Sequence, residues 1–244
     1  MTVVRNKDAF QYRYGQSYNG MIAGEYAGTF NNLGATVTLQ LVNGGTTTLE
    51  TFAYGTNLPW PVAADGYGPS LMLIAPATAP NPALAASWTT SAQPGGMPGG
   101  TPRSLTYAAW RQLSFNPTDA ANDAVSGSTA DPDGDGLTNR AEYGLGGVAR
   151  LPDQQAHMPA TALEVFSGHT YLTLQYTVQS GASDATFTPE VSSDLSLWNS
   201  GVANLTGLTG PTASTNGYVT WKTRDNTATD QDTKRFIHLK ITTP

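Results

Sequence analysis

The sequence predicts a mainly β chain: two β-sandwich modules joined by a short helical segment. Three observations predict it. Apolar residues alternate with Thr, Gln and Asn in two separate blocks, the period of a half-buried strand. Between the blocks the period lengthens to that of a helix. Charged residues make up only 12% of the 244 residues, about half the usual share near 25%, while Thr, Ser, Asn and Gly are abundant. A surface of hydroxyls and amides fits a secreted β-rich protein.

In chain order, residues 35–54, ATVTLQLVNGGTTTLETFAY, read as two strands around Asn43-Gly44-Gly45, a strong hairpin signal. Val37, Leu39 and Leu41 share one face, with Thr36, Thr38 and Gln40 on the other. A proline-flanked tryptophan at 59–61, a turn at Asp65-Gly66 and an apolar run over 70–74 follow, the last read as a buried strand. Residues 75–104 are dense in proline and glycine, and PGGMPGG at 94–100 reads as a linker. It is not a phosphate loop, because proline follows it where a lysine and a helix would be needed.

From Ser104 the pattern becomes helical. Leu105, Ala108, Ala109 and Leu113 lie at i, i+3, i+4 and i+8, with Trp110 near the edge of that stripe. Asn116-Pro117 is a cap followed by proline at the first helical position, and it starts a second short helix toward Val125. A last helical turn ends in Gly144–Gly147. After about residue 160, period two returns in Leu172, Leu174, Tyr176 and Val178, then Phe187 and Val191, Val219 and Trp221, and Ile237, Leu239 and Ile241. The expected organisation is a β domain at 1–92, a Pro/Gly linker at 93–103, a helical segment at 104–150 and a β-sandwich at 151–244.

Between the helical pieces lies DPDGDGLTNRAE, residues 131–142, which holds four of the chain's 18 acidic residues. A hard cation such as Ca²⁺ takes six to eight oxygens, and a tight loop supplies them when alternate residues point inward. Asp131, Asp133 and Asp135 occupy positions 1, 3 and 5, and Gly136 at position 6 permits the sharp turn. Leu137 at position 7 offers its backbone carbonyl, Asn139 at position 9 binds directly or through water, and Glu142 at position 12 closes the site. Four carboxylates this close repel one another without a cation, so Ca²⁺ is the expected cofactor. The loop resembles those of thrombospondin type 3 repeats, dockerins and EF-hands. An EF-hand has an aliphatic residue at position 8, where Thr138 stands here, and Leu137 one place earlier matches the thrombospondin-like pattern. A dockerin carries two such loops, and one is visible, which favours a single structural calcium over cohesin docking.

Residues 1–90 resemble the later part of a bacterial lamin-tail domain, an immunoglobulin-like β fold. VVRNKDAFQYRYG at 3–15, IAGEYAGTFNNLGATVTL at 22–39 and YGTNLPWPVAADGYGPSLMLI at 54–74 carry the resemblance. Members of that family have further strands before the segment matching Thr2–Val4, so the resemblance implies an incomplete first fold: a shortened chain, or an edge completed by another part of an assembly. The remainder is similar to the C-terminal region of large secreted proteins of environmental bacteria, with EVSSDLSLWNSG at 190–201 and KRFIHLKIT at 234–242 as the matching motifs. Some of those proteins also carry a spore-coat-type kinase-like domain, and nothing here matches its catalytic part.

Several function classes recede on composition. Net charge is −6, and no more than two basic residues adjoin, so no stripe tracks a phosphate backbone and nucleic acid is not an expected partner. Cysteine is absent, which removes disulfides and thiol chemistry. No apolar run is long enough to span a membrane. There is no G-x-S-x-G, and His157, His169 and His238 show no zinc spacing. His238 opposes the apolar set of its strand and reads as a surface residue. Trp60, Trp88, Trp110, Trp198 and Trp221 read as core or inter-module anchors. Tyr12, Tyr14, Tyr18 and Tyr26 would line a contact if a partner supplied a strand. The expectation is a non-catalytic extracellular or cell-surface protein serving adhesion or assembly, its partners a second copy, another extracellular protein or a polysaccharide. The alternative is a polysaccharide- or surface-binding accessory module of a larger secreted enzyme, which an exposed row of Trp or Tyr would favour. Clustered acids or histidines in a cleft would instead indicate a hydrolase.

Overall fold

The computed structural model of the chain describes residues 2–100, 104–213 and 217–244. It is β-rich, with short helices and small sheets, and divides into two compact units, Met1–Thr101 and Pro102–Pro244.

In the first unit, β1 (Thr2–Val4) pairs in parallel with β2 (Ile22–Glu25). Between them runs α1 (Lys7–Tyr14), whose start is fixed by Asn6 accepting the Ala9 N–H at 2.7 Å and by Asp8 in the first turn. No residue of α1 is buried, so apolar periodicity gave no sign of it. The expected hairpin is present as β3 (Ala35–Val42) and β4 (Thr46–Tyr54), with the Asn43 N–H donating to Gly45 O at 3.0 Å. Its expected apolar face is not buried throughout. The register shifts between Leu39 and Gln40; Val37 is half-buried, whereas Leu39, Leu41 and Val42 are exposed. A short pair, β5 (Leu71–Leu73) and β6 (Trp88–Thr90), completes the strands. Trp88 links two other rings, Phe52 at 5.5 Å and Trp60 at 6.1 Å between centroids. Among the described residues of this unit, only Val4, Ala92 and Met97 are fully buried hydrophobics.

The Pro/Gly stretch is bonded into this unit rather than hanging from it. Gly95 N–H donates to Gly68 O at 2.6 Å, and the Tyr14 hydroxyl donates to Gly95 O at 2.5 Å. Residues 101–103 of the expected linker lie outside the described residues.

The second unit begins with four short helices: α2 (Tyr107–Ser114), α3 (Pro117–Ala120), α4 (Asp123–Ser126) and α5 (Asn139–Leu145). The single helix expected from Asn116 to Val125 is split, because Asn122 caps a new turn by accepting the Ala124 N–H at 3.0 Å. Trp110, expected at the edge of the α2 stripe, is its centre: it is 1% exposed and packs with Leu105, Tyr107, Phe115 and Tyr143. A fifth short helix, α6 (Gln154–His157), leads to the strands.

These form an antiparallel sheet in the order β10 (Leu205–Ala213), β11 (Tyr218–Asp225), β8 (His169–Gln179), β7 (Ala160–Phe166), and a pair, β12 (Phe236–Thr242) with β9 (Thr186–Ser192). Leu174, Tyr176, Val178 and Val219 from the first sheet meet Phe187, Ile237, Leu239 and Ile241 from the second, and Leu145 of α5 joins the same cluster. The alternation read from sequence is therefore the core face. His238 lies opposite it, stacked on Trp198 with centroids 3.7 Å apart. Trp198 thus sits against a surface histidine, and Trp221 is 37% exposed, so neither is the core anchor expected of it.

Candidate metal centre

The acidic loop is held at its base by two backbone bonds, Asn139 N–H to Ala130 O at 2.8 Å and Arg140 N–H to Ser128 O at 3.1 Å. Inside it, each aspartate at an odd position binds the loop's own backbone. Asp131 accepts the N–H groups of Gly134 and Gly136 at 2.9 and 3.0 Å, Asp133 accepts that of Asp135 at 3.3 Å, and Asp135 accepts that of Leu137 at 2.8 Å. These local bonds turn the side chains inward. Gly136 has φ of 96°, a conformation that L side chains rarely adopt, which is why glycine stands at position 6.

Thr138 caps α5 by accepting the Ala141 N–H at 3.4 Å, and that helix carries Glu142 inward, where it is 0% exposed. Asn139 uses its amide on the preceding helix, donating to Val125 O at 2.9 Å and Gly127 O at 3.0 Å. Leu137 is 5% exposed and anchors the loop in the protein.

Two sets of three carboxylates have ligand atoms within 4.8 Å of one another: Asp131, Asp133 and Asp135, and Asp135, Glu142 and Asp153. That span is about twice a calcium–oxygen distance of roughly 2.4 Å, so each set could hold a metal ion. Asp135 belongs to both. Asp153 was not legible as part of the site, since it follows the loop by 11 residues, just before α6. It reaches the loop because the backbone N–H groups of Asp153 and Gln154 both donate to Asp135 Oδ2, at 3.0 and 2.8 Å. A cleft of about 410 Å³, lined by Asp135, Pro152, Asp153 and Gln154 among others, adjoins the site.

Asp133 Oδ2, both Glu142 oxygens and Asp153 Oδ1 are buried without a hydrogen-bond partner. Buried carboxylate oxygens of this kind are costly unless a cation or donor meets them. The electrostatics agree. Burial, reinforced by Asp133, Asp153, Asp135 and Asp131, pushes the Glu142 carboxyl up to about 9. Burial also pushes Asp133 up to about 6, with the charges of Asp135 and Asp131 adding to it and the Asp135 N–H opposing it. Both shifts have the same cause: carboxylates crowded together away from water favour their neutral form.

The three histidines do not converge. His157 lies 3.5 Å from Asp153, His169 pairs with Asp230 at 2.7 Å, and His238 pairs with Glu190 at 3.0 Å. No family model, curated protein or solved structure matches the chain.

Proposed function

We propose that this chain is a non-catalytic, calcium-stabilised structural or adhesive module of an extracellular or cell-surface assembly, built from two immunoglobulin-like β modules. The observation that carries the calcium part is the group of four buried, unpartnered carboxylate oxygens on Asp133, Glu142 and Asp153, beside the inward-turned Asp131 and Asp135. All are hard oxygen donors, the ligand type that calcium prefers. Asp131, Asp133, Asp135 and Glu142 would hold the ion with the Leu137 carbonyl and Asn139 Oδ1, which is also buried without a hydrogen-bond partner, while the Asn139 NH₂ ties the loop to α4. With no cysteine in the chain, such an ion would take the part that disulfides play in other secreted modules.

Thermal unfolding with calcium and with chelator tests this reading. A ligand that binds only the folded state at 100 times its Kd stabilises by about 2.7 kcal/mol, which for this size raises the midpoint by roughly 5–10 °C. Identical curves in calcium and chelator would remove the metal from the account.

Assembly is supported by the first unit. Its β3–β4 ribbon pairs with no other described strand, and it exposes Leu39, Leu41, Val42 and Leu49. A unit of about a hundred residues with three fully buried hydrophobics among its described residues leaves apolar surface and strand edges that a second copy or a partner would cover.

A specific observation favours the second reading, polysaccharide binding beside an enzyme. The first unit has a cavity of about 550 Å³ walled by Phe30, Phe52, Tyr54 and Trp88, with Asn31 and Asp65 among its polar groups. Aromatic faces with nearby amides and a carboxylate suit a sugar ring. Tryptophan fluorescence titrated with a polysaccharide panel discriminates the two: saturable quenching by one polymer would favour this reading over assembly.

A further inference from the structure

We infer that Asp153 is itself a ligand of the calcium site, so that the ion is held jointly by the loop 131–142 and by the Pro152–His157 segment outside it. This rests on the calcium reading of the loop and adds a position that the twelve-residue pattern does not contain.

Four observations point the same way. Asp153 Oδ1 is buried and has no hydrogen-bond partner, and a ligand atom of Asp153 lies within 4.8 Å of ligand atoms of Asp135 and Glu142. Asp153 also stands at the N-cap of α6, where an aspartate ordinarily accepts a backbone N–H from the first turn, yet it makes no side-chain cap bond. Its carboxylate is thus withheld from its usual local role. The other carboxylate oxygen, Oδ2, lies 3.5 Å from His157 Nε2, and the His157 ring is within 3.3 Å of Leu145 O, so one oxygen is steadied while the other stays unpaired. Finally, Gly147 sits between the two acids. A Cβ there would lie 3.3 Å from Asp153 Oδ1 and 3.3 Å from Glu142 Cγ, tighter than ordinary contact, so glycine leaves both carboxylates their room.

The bland alternative is an acidic residue whose backbone caps the loop. The bonds from Asp153 and Gln154 N–H to Asp135 account for the backbone but not for a buried, unpartnered side-chain oxygen beside two more carboxylates. A shared cation accounts for both. It would also make the site a clamp between α5 and the segment that leads into β7, closing a longer stretch of chain than the loop alone.

The test is calcium titration calorimetry on the whole chain and on Asp153→Asn, together with Tb³⁺ luminescence lifetimes in H₂O and D₂O, which count water molecules on the bound ion. Expected are a calcium affinity weaker by at least roughly 10- to 100-fold in the variant, the loss that removing even an outer-shell partner of a ligand brings, and one additional water on Tb³⁺. A wild-type chain that binds the ions while Asp153→Asn matches it in affinity and water count would overturn the inference and leave the loop reading intact. A wild-type chain that binds neither ion would overturn both. Hydrogen exchange of the unaltered protein needs no variant: calcium should slow exchange at residues 153–157, and equal rates with and without it would also contradict the role of Asp153.

Discussion

Asp135 Oδ2 accepts the backbone N–H of Asp153 at 3.0 Å, which joins the acidic loop to the start of α6, eighteen residues further along the chain. The same carboxylate accepts the Leu137 N–H through Oδ1, so Asp135 is the hinge between the two acidic sets.

Because Asp133 places one oxygen in the loop backbone and leaves the other buried and unpaired, it should matter for the ion and little for the fold. Asp133→Ala is expected to abolish the calcium-induced rise in melting temperature while the far-ultraviolet β signal stays within error of wild type. A retained calcium response would remove Asp133 from the site.

The pH dependence of the metal-free protein follows from the raised carboxyls. Glu142 is pushed up to about 9 and Asp133 to about 6, against ordinary values of 4.5 and 3.8, so the folded state holds more protons than the unfolded chain between those limits. Stability in chelator is therefore fully present below about pH 4 and falls as pH rises, first through about 6 and then toward 9. Calcium favours the ionised form, so the gap between the calcium and chelator melting curves should widen over the same range. Glu142→Gln, which has no proton to lose, should flatten the chelator curve above pH 6. A gap that narrows with rising pH would contradict this assignment.

The helical cluster should be separable from the metal. Tyr143 is 0% exposed, and its single hydroxyl proton is shared between Leu105 O and Asp184 Oδ1, while Asp184 also accepts the Tyr107 N–H at 3.0 Å. Because Leu105 O keeps the Ser183 N–H at 3.1 Å and Asp184 Oδ1 keeps that of Tyr107, Tyr143→Phe should cost only about 0.5–1.5 kcal/mol, as read by denaturant unfolding with calcium present. Calcium affinity should stay within about threefold, since no ligand moves.

For assembly, Leu39→Thr with Leu41→Thr should lower self-association in light scattering, because these exposed residues lie on the open ribbon. Deletion of residues 1–10 removes β1 and should act in the same direction. Both variants matching a wild type that is monomeric at high concentration would contradict the assembly reading.

The legible parts of the sequence were those where local chemistry fixes the outcome. Asn43–Gly45 set a hairpin turn, the Leu172–Val178 alternation marked a core face, and the spacing of Asp131, Asp133, Asp135 and Glu142 gathered carboxylates in a loop. The missed parts depend on tertiary placement. Asp153 reaches the site through backbone bonds that no spacing encodes, α1 buries nothing and so leaves no periodic trace, and the burial expected of Leu39 and Leu41 fails where the ribbon's register shifts. Trp198 illustrates the same limit, since its ring stacks on the half-buried His238 outside the core, and Trp221 is left 37% exposed.

The most direct test of the central claim is isothermal titration of calcium into the chelator-treated chain. Expected is one ion per chain, with binding lost in Glu142→Gln. The absence of any binding heat, together with a melting temperature that calcium does not move, would contradict it.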